Sequence, residues 1–167
     1  YRRDGSARLL TEKDIMDGMN NLVLTSDSKW CYEKFRELIS KGAKGLCIST
    51  TQPAKLRIKY KVREASLHWL TDSGSEKDTL NPRRIEFEVT KTLLEFMKVN
   101  KGGVIFIDGL EYLIMENGFE RVTRFIKKIG DSASKEGHTL IIMLNPSALA
   151  PDPLTILKKS FDEVIEK

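Results

Sequence analysis

Three short stretches, Leu46–Ile48, Val104–Ile107 and Leu140–Leu144, contain no polar residue at all. A strand wet on one face alternates apolar and polar side chains. An unbroken apolar strand must be covered on both faces, the habit of parallel strands sandwiched between helices. The intervening segments supply helices. Phe119, Val122, Ile126, Ile129 and Ala133 recur at spacings of 3, 4, 3 and 4, an amphipathic stripe. Ile85, Val89, Leu93, Phe96 and Met97 draw a similar stripe across 82–102, with Gly102 as its stop. Cys31, Phe35, Leu38 and Ile39 share a helical face that Ser28 can cap and Gly42 can close. Strands alternating with helices predict a three-layer α/β/α domain with a mostly parallel sheet.

Further strands are expected at 21–25, 66–71 and 162–166, with a short helix over 110–116 and another over 153–161. The stretch 72–82 reads as a surface loop from its Gly, Ser, Asp and Pro content. The segment 53–63 stays ambiguous. Leu56, Ile58, Tyr60 and Val62 alternate with cations, which predicts a strand, whereas Pro53 suits the first position of a helix.

At 167 residues the chain is long enough for one hydrophobic core. Residues 1–20 are polar and weakly periodic and read as a tail or linker from an upstream region; 21–167 reads as a single domain. The opening residue is Tyr rather than Met, so the chain is expected to be a piece of a longer protein. No apolar run approaches the roughly 20 residues of a membrane span, so no membrane insertion by this segment is expected. Cys31 and Cys47 have no metal-ligand spacing and are expected as buried free thiols, which fits a cytoplasmic setting, including the cytoplasmic part of a sensor-type protein.

Ligands of open parallel sheets bind at the carboxyl ends of the strands. Asp108, at the end of an apolar run, stands where nucleotide-hydrolysing α/β proteins hold magnesium. That chemistry also needs a glycine-rich loop ending in Gly-Lys-Ser/Thr to hold the phosphates. No Gly-Lys-Ser/Thr occurs in the sequence. The best-placed loop, 49–55, contains no glycine, and its amides cannot readily wrap an anion. The candidate ligand crevice is Ser49, Thr50, Thr51, Asp108, Glu111 and Asn145, with no catalytic residue and no metal site assigned. No cofactor is expected; ATP or magnesium is the lesser alternative. Asp108 and Glu111 also fit a helix-capping box, the favoured structural reading of that pair.

Lys55, Arg57, Lys59, Lys61 and Arg63 form a candidate anion-binding stripe in a chain of net charge +4. A solvated face is the commoner explanation of such a run. His68 reads as a sheet residue, and His138, after Gly137, as an exposed turn residue. Trp30, Tyr32, Trp69 and Tyr112 suit either a half-buried core or an interaction surface.

The segments "GLCISTTQPAKLRIKY", "LHWLT", "GGVIFIDGLEYLIMENGFERVTRFIKKIGD" and "IIMLNPSAL" resemble, in that order, an uncharacterised archaeal domain family distantly related to RecA/KaiC-type ATPases. The similarity spans about 21–167, and "DGLEYL" with "NGFE" is its most distinctive part. The resemblance implies a RecA-like sheet without a working phosphate loop, often joined to sensor, signalling or membrane segments. It also favours a helix at 53–61 and transfers no catalytic residues. The expected function is therefore a non-catalytic RecA/KaiC-like domain in an archaeal protein, acting in signalling or docking a protein partner or a second copy. The alternatives are a residual nucleotide or small-ligand binder without turnover, and a nucleic-acid-binding module using the 55–63 cations.

Overall fold

The computed structural model describes residues 13–74 and 76–167. Its seven strands are β1 (Asn20–Leu24), β2 (Gly45–Ser49), β3 (Ser66–Leu70), β4 (Thr79–Leu80), β5 (Val104–Asp108), β6 (Thr139–Leu144) and β7 (Glu163–Glu166). They form one sheet in the order β4-β3-β2-β5-β6-β1-β7, and every pairing is parallel. Parallel neighbours need crossover connections; the loop 71–78 joins β3 to β4, and elsewhere the helices supply them. These are α1 (Ser28–Ser40), α2 (Pro53–Lys59), α3 (Lys91–Val99), α4 (Leu110–Asn117), α5 (Phe119–Lys135) and α6 (Pro151–Lys158).

Alternate residues of each central strand enter two separate cores, which is why the runs carry no polar residue. Val23, Cys47, Phe106, Ile141 and Ile165 meet Cys31, Tyr32 and Phe35 of α1 and Leu56 of α2. Leu22, Ile48, Ile105, Ile107 and Ile142 meet Leu93, Leu113, Ile126 and Leu157 from α3 to α6. The expected three-layer architecture follows, and both cysteines are buried free thiols.

Local sequence explains the element ends. Asp27 caps α1 by accepting from the Lys29 amide at 3.0 Å, and prolines occupy the first turns of α2 and α6. Gly118, at φ 87°, lets α4 end and α5 begin without a longer loop. The long helix expected over 82–102 opens instead with a π-helical stretch, Ile85–Thr90, before continuing as α3.

Several expectations need correction or completion. The period-two pattern of 53–63 is not a strand. Pro53 starts α2, Leu56 faces the core, and Ile58 is 80% exposed. The chain then turns at Lys61 with a left-handed φ of 56°, which returns Val62 to the core. The loop 72–82 contains β4, a two-residue strand too short to show a period. His138 is not exposed. Its side chain is fully buried, and its Nδ1 accepts from the Gly103 amide at 3.0 Å. Of the expected leading segment, residues 1–12 lie outside the described residues. Beyond them, Lys13 donates to the Val164 carbonyl and Asp14 pairs with Lys34, and Asn20 already belongs to β1. No described helix is long and apolar enough to cross a membrane.

Candidate functional site

The chain leaves β1 through α1 toward β2. It leaves β6 through α6 in the opposite direction, past β1 to β7. The carboxyl ends of β1 and β6 therefore mark the topological switch point, where open α/β sheets take their ligands. The strand–loop–helix junction that matters is Thr25–Lys29, after β1, rather than the 49–55 loop singled out from sequence. This loop also lacks glycine. Its acid, Asp27, spends its carboxylate on the first turn of α1, so the helix end that would attract a phosphate already holds an anion.

One turn into α1, Tyr32 reaches across the sheet's carboxyl edge and is 1% exposed. Its hydroxyl donates to Asp108 Oδ2 at 2.6 Å and lies 3.1 Å from Ser49 Oγ. Ser49 Oγ is in turn 3.3 Å from Asp108 Oδ2. Burial raises the Asp108 carboxyl above its ordinary range, and the nearby Glu111 charge adds to that. The Tyr32 and Ser49 hydrogen bonds pull the other way. Burial, with Asp108 nearby, pushes the Tyr32 phenol strongly up, so it serves as a donor. The Cys31 thiol is pushed up to about 12, chiefly by burial, and is inert as a nucleophile.

Tyr60, capping the C-terminus of α2, closes this arrangement. Its ring stacks on Tyr32 with centroids 4.1 Å apart and planes 5° from parallel. Its hydroxyl is 2.7 Å from Ser28 Oγ, and Arg36 donates to its carbonyl at 3.0 Å. Outside the stack lies a cleft of about 410 Å³, lined among others by Ser26, Asp27, Lys29, Arg36 and Lys59. A ligand reaching Asp108 through this cleft must displace the stack and the charge-assisted bond. Together these contribute about 2–4 kcal/mol, or roughly 30- to 1,000-fold in affinity.

The sequence-derived crevice residues fall into two groups. Ser49 and Asp108 join through Tyr32, and the adjoining backbone is tied down: Thr50 donates its amide to the Asp108 carbonyl, and Thr51 to Ser49 Oγ. Glu111 and Asn145 form the other group. Glu111 accepts from the Asn145 amide at 2.8 Å, and the Asn145 side chain caps the 3₁₀ turn Pro146–Ala148. The capping-box reading of Asp108 and Glu111 is overturned, because Gly109 holds the N-cap position and α4 has no side-chain cap. The geometry sends both carboxylates to other elements. Lys55, Arg57, Lys59, Lys61 and Arg63 are all exposed, and α2 fans the first three around its surface. Sequence reasoning missed Tyr32, Tyr60 and Asp27. The available signal was Tyr32 beside Cys31 and three residues before Phe35, on the buried face of α1.

The family model described as "Protein of unknown function (DUF835)" matches residues 16–161. The chain belongs to the DUF835 family. No curated protein matches it. Among solved structures, this DUF835 member is similar to the KaiC-like protein PH0186 from the hyperthermophilic archaeon Pyrococcus horikoshii OT3. The TM-score is 0.63 at 15% identity, covering 91% of this chain and 73% of that one. It is also similar to the flagellar accessory protein FlaH from Methanocaldococcus jannaschii, with a TM-score of 0.60 at 15% identity, covering 99% and 77%. At such identity the likeness establishes the fold: this DUF835 domain is a RecA/KaiC-like α/β sheet, as its sequence resemblance implied.

Proposed function

We propose that this DUF835 domain is a non-catalytic RecA/KaiC-like unit that works as a protein-interaction or signalling module. One observation carries the reading: the Tyr32 hydroxyl occupies Asp108, the carboxylate best placed for a metal–phosphate complex. Phosphoryl transfer depends on groups that hold the phosphates and neutralise their charge. Here the switch-point loop offers a carboxylate, Asp27, and the strand-end aspartate is spent on a tyrosine. A fold so filled retains its helix faces and sheet edges for docking.

A second reading, binding of a small ligand without turnover, draws its support from the cleft beside Tyr60. One experiment separates the two. Thermal unfolding is followed with ATP, GTP and cyclic nucleotides, each with and without magnesium. The interaction reading expects the melting temperature to stay put. A rise of several degrees that disappears in Asp108→Ala would put ligand binding first.

A further inference from the structure

Helix α2 presents a face that its own fold does not use. Between residues 53 and 63 the chain carries five cations and no carboxylate. Among the described residues, none of the five forms an ion pair. Leu56 is the buried anchor of α2 at 0% exposure. At about 100° per residue, Ala54 and Ile58 fall on the side opposite it. Ile58 is accordingly 80% exposed, with Arg57 on one flank and Lys55 and Lys59 on the other. Next to the helix, the turn at Lys61 frames a shallow groove of about 260 Å³. Ile39 and Val62 line it, with Arg36, Lys61 and Arg63 set against a single carboxylate, Glu64. An exposed aliphatic side chain on α2 and, past the turn at Lys61, a small apolar groove are thus each flanked by cations.

We infer that this surface docks an acidic amphipathic segment of a partner protein, with apolar side chains on Ile58 and in the groove and carboxylates toward the surrounding cations. The inference deepens the interaction reading above by naming its surface and the chemistry of its partner. Charge complementarity selects acid, and the apolar elements select protein. A phosphate backbone offers nothing apolar to cover Ile58. A lipid surface gains little from a two-turn helix with one large apolar side chain, because interfacial binding scales with the apolar area inserted.

The test uses fluorescence anisotropy with a labelled synthetic peptide of about 20 residues, rich in Glu with Leu and Phe at helical spacing. A polyglutamate peptide of equal length, a short DNA duplex and phosphatidylserine-containing vesicles are run beside it. The amphipathic peptide is expected to bind most tightly. Ile58→Ser should weaken it about tenfold while leaving the net charge intact, and Lys55→Glu with Arg57→Glu should weaken it further. All three positions are exposed, and an unchanged urea midpoint verifies folding. No binding of the amphipathic peptide, equal binding of polyglutamate with indifference to Ile58→Ser, or tighter binding of duplex or vesicles each overturns the inference. The nucleotide screen reads the cleft beside Tyr60, which shares Arg36 with this groove but is not lined by Lys55, Arg57 or Ile58, so failure here and failure of the non-catalytic reading are separate results.

Discussion

Replacing Tyr32 by Phe removes one oxygen and leaves the ring in place. The stack on Tyr60 and the edge contact with Phe106, at 4.8 Å and 73°, survive. What is lost is the 2.6 Å donation to Asp108 and the 3.1 Å contact with Ser49. A hydrogen bond to an ionised acceptor contributes about 1.5–3 kcal/mol. Among the described residues, Asp108 would keep only Ser49, at 3.3 Å, as a side-chain donor. Tyr32→Phe should therefore cost about 2 kcal/mol near neutral pH, lowering the melting temperature by about 4–8 °C for a chain of this size. The penalty should also depend on pH. Burial raises the Asp108 carboxyl above its unfolded value, so the native state binds this proton more readily than the unfolded chain does. As pH falls through the folded value, Asp108 becomes neutral and the charge assistance disappears. The Tyr32→Phe penalty should then shrink to about 1 kcal/mol, that of a neutral bond. Urea denaturation of both proteins across that range, at constant m-value, measures it. A penalty under about 0.5 kcal/mol at neutral pH, or one unchanged on acidification, would mean that Tyr32 is not holding an ionised Asp108.

Asp108→Asn carries the opposite sign. A carboxyl with a raised folded value adds stability at low pH that is lost as pH rises through that value. The neutral variant should therefore equal or exceed the parent in urea near neutral pH and lose that advantage on acidification. His138→Ala leaves the buried Gly103 amide without its acceptor and opens a cavity; a loss of about 2–4 kcal/mol is expected in the same assay. Lys61→Val forces a β-branched side chain to a φ of 56° and should cost about 1–2 kcal/mol, whereas Lys61→Gly should stay within about 1 kcal/mol of the parent.

The fold was legible because its signal is physical and local. A strand such as Val104–Ile107 cannot be unbroken and apolar unless both faces are covered, and the α5 stripe has only one periodic reading. Segment 53–63 resisted because alternation over so few residues fits either period, and only tertiary contact shows Leu56 buried and Ile58 bare. His138 misled because its neighbour Gly137 signals a turn, while the burial of the ring depends on Gly103, distant in sequence. The site was harder still. Asp108 stood out by its place at a strand end, but its partner Tyr32 lies 76 residues away, and nothing in the local pattern of either residue announces the other. The switch point depends on strand order, which no single segment encodes. Sequence alone therefore pointed to the turn after β2 rather than the one after β1.

The sheet order also governs when this molecule can come together. Strand β1 bonds only to β6 and β7, whose first residues, Thr139 and Glu163, lie far along the sequence from Asn20. During synthesis the greasy Leu22-Val23-Leu24 finds no sheet neighbour until the chain as far as β6 has followed. Such distant pairing makes for slow assembly and leaves an adhesive early segment in want of shelter. A ribosome-bound chain stopped before Thr139 should accordingly bind holdase chaperones, and release of the segment carrying β6 and β7 should be the step that frees it.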